Sequence, residues 1–123
     1  MPSRNESRRP DFDRILPLKP VVFHILLALA EEPSHGYGVI QTVRRQSEGW
    51  IPLPTGAFYR HLRRLIDDGW VATVSGPRGE DDPRRGTYYA LTTLGREVLR
   101  ADWRRMADLV AATKRQVDAA VRR

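Results

Sequence analysis

The sequence predicts a mainly α-helical fold with a small β-hairpin and a long C-terminal helix, and three observations lead there. Apolar residues recur at helical spacing in three successive stretches between Leu18 and Gly69. Two short β-type runs, WVATV at 70–74 and TYYAL at 87–91, then bracket SGPRGEDDPRRG, a segment too rich in glycine, proline and charge for helix or strand. From Thr92 a helical pattern continues without a breaker to near the end of the chain.

At 123 residues the chain suits one domain with a modest core. No apolar run is long enough to span a bilayer, and MPSRNESRRP lacks a signal-peptide core, so a cytoplasmic protein is expected. Zero cysteines exclude disulfides and thiolate metal sites. The formal charge is +6, from 21 Lys plus Arg against 15 Asp plus Glu, and lysine occurs only at Lys19 and Lys114. A polyanionic partner fits that balance. Its distribution is uneven: residues 57–66 hold three arginines and no acid, while 96–123 hold eight basic and four acidic side chains.

Residues 1–14 are polar, with Arg4, Arg8 and Arg9 among Ser, Asn and Pro, and read as a disordered arm. From Leu18, apolar residues Val21, Val22, Ile25, Leu26 and Leu29 describe a broad-faced core helix that stops before Pro33. His24 among them reads as a partly buried histidine. Ser34 is expected to cap a second helix, HGYGVIQTVRRQS, closed by Gly49. Gly36 and Gly38 in its first turn are costly there, about 1 kcal/mol each against alanine. They suit either close packing within the chain or the approach of a phosphate, to which His35 could donate.

The third helix is PTGAFYRHLRRLIDDGW. Phe58, Leu62, Leu65 and Ile66 form its apolar back, and Tyr59, Arg60, Arg63 and Arg64 its front. Thr55 is expected to cap it and Gly69 to end it. Arginine forks onto guanine edges and phosphates, and tyrosine reaches phosphate oxygens. Taken alone the window also describes a surface helix with a solvated cationic face. Its surroundings lift it: helix, turn, helix, short link, helix, then hairpin is the order of a winged helix-turn-helix domain, here 15–91. Three acids cancel three arginines in the hairpin loop, so phosphate contact there depends on Arg84 and Arg85 beside the strand.

Thr92 caps the last helix, 92–123. Leu99, Trp103, Met106, Val110, Thr113, Val117 and Ala120 alternate at spacings of four and three, the repeat of a two-helix seam. A second copy of the chain is its simplest partner. Catalysis is not expected: His24, His35 and His61 lie on three helices without metal-ligand spacing, and Asp81 and Asp82 sit on a loop with no partner. No cofactor is implied.

ILLALAEEPSHGYGVI, TGAFYRHLRRLIDDGW and YYALTTLGREVL, in this order and spacing, resemble the PadR family of winged-helix transcriptional regulators over residues 18 to about 115. The short C-terminal helix is similar to that of the family's smaller size class. The resemblance implies a homodimeric DNA-binding protein, usually a repressor, whose C-terminal helices build the dimer and whose third helix and wing read a palindromic operator. It implies that Tyr37, Gly56, Tyr59, Arg60 and Arg64 meet DNA and that Tyr88 and Tyr89 anchor the wing strand. The candidate DNA-binding set is thus His35, Tyr37, Thr55, Gly56, Tyr59, Arg60, Arg63, Arg64, Arg84, Arg85 and Tyr88. The family usually has Gly-Thr-Leu-Tyr where this chain has Gly56-Ala57-Phe58-Tyr59, and an arginine run before the paired tyrosines where Gly86 and Thr87 stand here. A small aromatic or phenolic effector is also implied, with Trp103 as its stacking surface or, alternatively, as filler of the dimer core. The competing function is a protein-interaction adaptor that binds no operator.

Overall fold

A computed structural model gives the structure of residues 12–76 and 86–122. Its elements are α1 (Phe12–Ile15), α2 (Pro20–Ala28), β1 (Ser34–His35), α3 (Gly36–Gln46), α4 (Thr55–Asp67), β2 (Val71–Val74), β3 (Tyr88–Leu91) and α5 (Thr93–Val121). Phe12 and Ile15, one helical turn apart, pack against the core, so residues 12–14 belong to a helix and not to the expected polar arm. The rest of that arm lies outside the described residues.

α2 starts two residues later than its apolar pattern, because Pro20 takes the first helical position, where a missing N–H costs nothing. It tightens and stops through Leu29 N–H to Leu26 O (3.1 Å) and Ala30 N–H to Leu27 O (3.1 Å). Ile25 and Leu26 are completely buried, and with Val39, Val43, Phe58, Leu62, Leu65 and Val98 they make one continuous core. Helices α2, α3 and α4 thus share a single apolar centre, and the polar faces of α3 and α4 are left outside it.

Two expected caps are corrected. Ser34 is part of β1, and the α3 cap is His35, whose Nδ1 accepts from Gly38 N–H at 3.1 Å. Thr55 is the first residue of α4, which starts after Pro54 without any side-chain cap. The C-terminal signals act as glycine motifs. Gly69 (φ +80°) donates to Ile66 O and Trp70 to Leu65 O, closing α4. At the end of α3 the left-handed position is Glu48 (φ 53°), with Gly49 (φ 81°) following it, so Gly49 does not close the helix alone.

The β2–β3 hairpin is present, and a third strand joins it. The antiparallel order is β1-β3-β2, with Ser34 opposite Tyr89, His35 opposite Tyr88, and Val71 opposite Leu91. The added strand ties the start of α3 to the wing.

α5 opens, as expected, on Thr92, whose hydroxyl accepts from Gly95 N–H (3.0 Å). That hydroxyl also donates to Gly69 O at 2.6 Å, and Thr92 N–H reaches Trp70 O at 3.1 Å. Gly95 lies directly on the Trp70 carbonyl, where a β-carbon would collide with backbone. Arg96 Nη1 donates to Ala30 O at 3.1 Å. The first turn of α5 is therefore fastened to the ends of both α4 and α2. Farther along, Asp102 is 1% exposed and accepts from Arg105 Nε at 2.7 Å, which satisfies an otherwise costly buried carboxylate.

His24 proves partly buried, and Gln46 Nε2 donates both to its backbone oxygen (2.7 Å) and to its Nδ1 (3.1 Å), joining α2 to the end of α3. Nδ1 must then be unprotonated, and burial holds the His24 pKa below its ordinary 6.5. His61 is lowered too, first by burial and then by the charges of Lys19 and Arg60. Protonating either ring favours the unfolded chain. Their contribution to stability is present above the unfolded value and is lost as pH falls through the depressed folded values. The melting temperature should accordingly drop on acidification below about pH 6.5, and the paired change His24→Asn, His61→Gln should flatten that slope. A melting temperature that rises on acidification contradicts this.

Candidate nucleic-acid interface

α4 carries its charges where its periodicity puts them. Phe58, Leu62 and Leu65 are buried, and Thr55, Gly56, Arg60, Arg63 and Arg64 all stand in solvent. Arg64 Nε is 3.4 Å from Asp68 Oδ2, a pair whose arginine is 80% exposed. Such surface pairs are worth about 0–1 kcal/mol, so the guanidinium can be exchanged to another anion at little cost. Tyr59 is half exposed and lies edge-on to Phe58, with ring centroids 4.9 Å apart.

The start of α3 sits against this ridge. A β-carbon on Gly36 would meet the Tyr59 hydroxyl at 2.5 Å, and one on Gly38 would strike the Ser34 hydroxyl and approach the His35 ring. Both glycines therefore answer to packing within the chain. Gly56 is different: a β-carbon there meets nothing nearer than Arg60 Nη1 at 3.7 Å, an ordinary contact. No internal neighbour asks for glycine in the first turn of α4.

Wing and helix meet through aromatic rings. His35 packs edge-on to Tyr88, centroids 5.6 Å apart, across the β1–β3 pairing. Burial and nearby Tyr59 raise the Tyr89 pKa, partly offset by a hydrogen bond with Thr87. Among the described residues no cluster of three or more His, Asp or Glu is arranged to hold a metal, and no helix is long and apolar enough to cross a membrane.

The family model for PadR-like transcriptional regulators matches residues 25–101, from the centre of α2 into α5. The chain belongs to that family. Its members regulate transcription and are not enzymes. None of the curated proteins matches the chain. Among solved structures it is similar to a PadR family transcription regulator from Clostridium difficile R20291, at 20% identity and TM-score 0.67 over 80% of this chain and 99% of that one. It is similar to a transcriptional regulator from Clostridium thermocellum, at 21% identity and TM-score 0.62 over 77% of this chain and 90% of that one. A third likeness is to Bacillus subtilis PadR, solved in complex with operator DNA, at 21% identity and TM-score 0.56 over 69% of this chain and 46% of that one. These likenesses show the PadR winged-helix fold with its C-terminal helix.

Within this PadR-like fold, Tyr37 on α3 (63% exposed) and Thr55, Gly56, Tyr59, Arg60, Arg63 and Arg64 on α4 are each exposed. Tyr88 is corrected: it is 7% exposed, turned inward against His35, and so belongs to the wing's foundation and not to its outer face. His35 has one nitrogen committed to the α3 cap, which leaves only Nε2 to donate outward. Arg84 and Arg85 lie outside the described residues. Along α5, Leu99 is part-buried and packs on its own chain's core, and Met106 and Thr113 are half-buried. Trp103 (59%), Val110 (68%) and Val117 (57%) are exposed. Leu109 and Val121, which a strict two-position repeat passes over, are exposed beside them.

The Gly56 observation gives a stability test. Gly56→Ala removes glycine's excess backbone freedom and meets no obstruction, so it should stabilise the protein by up to about 1 kcal/mol. Urea denaturation reads this; a loss of stability would reveal an internal constraint on that position.

Proposed function

We propose that the protein is a homodimeric, sequence-specific DNA-binding repressor that reads a palindromic operator and is released by a small aromatic effector. The observation that carries this reading is the open front of α4: three arginines, a half-exposed phenol and a glycine without an internal role, all on one face. A glycine that the chain does not need, at the tip of a cationic helix, fits close approach by a phosphate or base edge. Arg60, Arg63 and Arg64 are the groove readers, with Tyr37, Thr55, His35 Nε2 and the wing beside flanking phosphates. The operator complex of Bacillus subtilis PadR supports the same use of the shared fold.

The dimer rests on α5. Past Met106 this helix is exposed except at half-buried Thr113, and the apolar side chains of Trp103, Leu109, Val110, Val117 and Val121 stand exposed along it among the described residues. A helix of this kind is stable in water when its stripe is covered. A second copy supplies an identical stripe and brings two reading heads into one assembly. The effector belongs in the apolar groove of about 310 Å³ between α2 and α5, where Phe23, Leu27, Leu99 and Trp103 form the walls.

DNA from the protein's own promoter region provides the assay. Log affinity should fall with log salt at a slope of roughly −0.9 for each neutralised phosphate, about six to ten per dimer. Arg64→Ala should weaken operator binding by about 1–3 kcal/mol, and Gly56→Ala should weaken it while stabilising the fold. Absence of salt-dependent binding at low ionic strength would favour the protein-adaptor reading instead.

A further inference from the structure

We propose that Trp50, on the link between α3 and α4, is a sequence-independent anchor on the DNA backbone. Its indole lies on a deoxyribose beside the reading helix and its Nε1–H is donated to the adjoining phosphate. This rests on the DNA-binding reading above and adds a contact that carries no charge. Trp50 is 84% exposed, more than any other large apolar side chain among the described residues.

The backbone beneath that side chain is fixed. Trp50 N–H donates to Ser47 O at 2.9 Å, and Ile51 N–H to the buried Ser47 hydroxyl at 3.4 Å. The preceding turn holds Glu48 and Gly49 at φ 53° and 81°. Pro52 and Pro54 keep Ile51 and Leu53 extended. Sides then alternate: Ile51 packs on the core and Leu53 is buried in it, while Trp50, Pro52 and Pro54 are exposed. The indole is thus aimed at solvent from a rigid mount, which lowers the ordering cost of a contact.

The position and charge of the mount favour nucleic acid. The link from Trp50 to Pro54 spans at most about 14 Å, close to the roughly 12 Å width of the major groove. With the first turn of α4 in that groove, Trp50 comes down at its edge, where the sugar–phosphate chain runs. From Gly36 to Ile66 the chain carries five arginines and a single acid, Glu48. Arg44 and Arg45, on the last turn of α3, are exposed and pair with no carboxylate among the described residues. A protein partner would call for further apolar surface around the indole, yet its exposed neighbours are Glu48, Gly49 and Pro52. A flat apolar body with one N–H donor matches a sugar face next to a phosphate oxygen. Such a contact positions the protein and reads no base.

The test uses the full chain, DNA from its own promoter region and an unrelated duplex of equal length. Trp50→Ala should weaken binding to both duplexes by the same factor, about tenfold, and leave the salt slope and the melting temperature unchanged. Trp50→Phe keeps the flat ring, loses the donor and should fall between Trp50→Ala and the native chain. Emission lost in Trp50→Phe isolates the Trp50 signal from Trp70 and Trp103. That component should be open to acrylamide in the free protein and shielded in the complex with either duplex. Unchanged affinities, a loss confined to promoter DNA, or equal acrylamide access with and without DNA overturns the proposal. Shielding that grows with protein concentration in the absence of DNA assigns Trp50 to a contact between copies and also overturns it. If the native chain binds neither duplex at low salt, the DNA-binding reading has failed and this inference falls with it, a result distinct from the others.

Discussion

The first turn of α5 is the joint on which the arrangement depends. Thr92 holds Gly69, Gly95 presses on the Trp70 carbonyl, and Arg96 holds Ala30, so one helical turn grips the far ends of α4 and α2. A helix can approach a backbone carbonyl this closely only where a β-carbon is missing. Without that contact α5 would sit farther from the end of α4, and its direction would be set by flexible chain. With it, the orientation of α5 follows from the orientation of α4. In the proposed dimer, the spacing of the two heads is therefore a property of this joint as much as of the helix seam.

The cationic face is stable for the complementary reason that it asks little of the fold. Its arginines stand in solvent, the Arg64–Asp68 ion pair is a surface pair, and the tyrosine beside them packs against Gly36 and Phe58. Stability comes from the shared apolar centre, in which Phe58 and Leu62 from α4 meet Ile25 and Leu26 from α2. The same helix thus contributes its back to folding and leaves its front unencumbered. Gly56 is the exception: it weakens the helix for no internal gain, and the proposed DNA contact is what gives that cost a reason.

Much of this was legible in the residues. Helical period and glycine stops located the four main helices and the left-handed turn at Gly69, and β-branched and aromatic runs located the wing. What escaped depended on partners distant in sequence. Ser34 has the chemistry of a cap, but pairing with Tyr89, far along the chain, draws it into a strand and passes the cap to His35. Tyr88 and Tyr89 look alike locally, and only the strand register decides that Tyr88 faces inward. Gly95 reads as an ordinary glycine of the LTTLGREVL motif until the Trp70 carbonyl appears beneath it. Asp102 looks like a surface acid because its burial depends on how α5 leans on the body. Phe12 sat inside the polar window 1–14, whose boundary separated it from Ile15, its partner one turn on. Of the candidate interface, the front of α4 was readable because amphipathicity is local. The groove on α2 and α5 was not, because its walls come from separate helices.

The absence of native cysteine permits a direct measurement of the central geometry. A spin label attached through Arg63→Cys reports the separation of the two reading helices in the unbound protein by double electron–electron resonance. The account predicts a narrow distribution near one duplex turn, roughly 34–36 Å, at micromolar concentration. A signal without dipolar coupling, or a broad distribution far from that value, would contradict it.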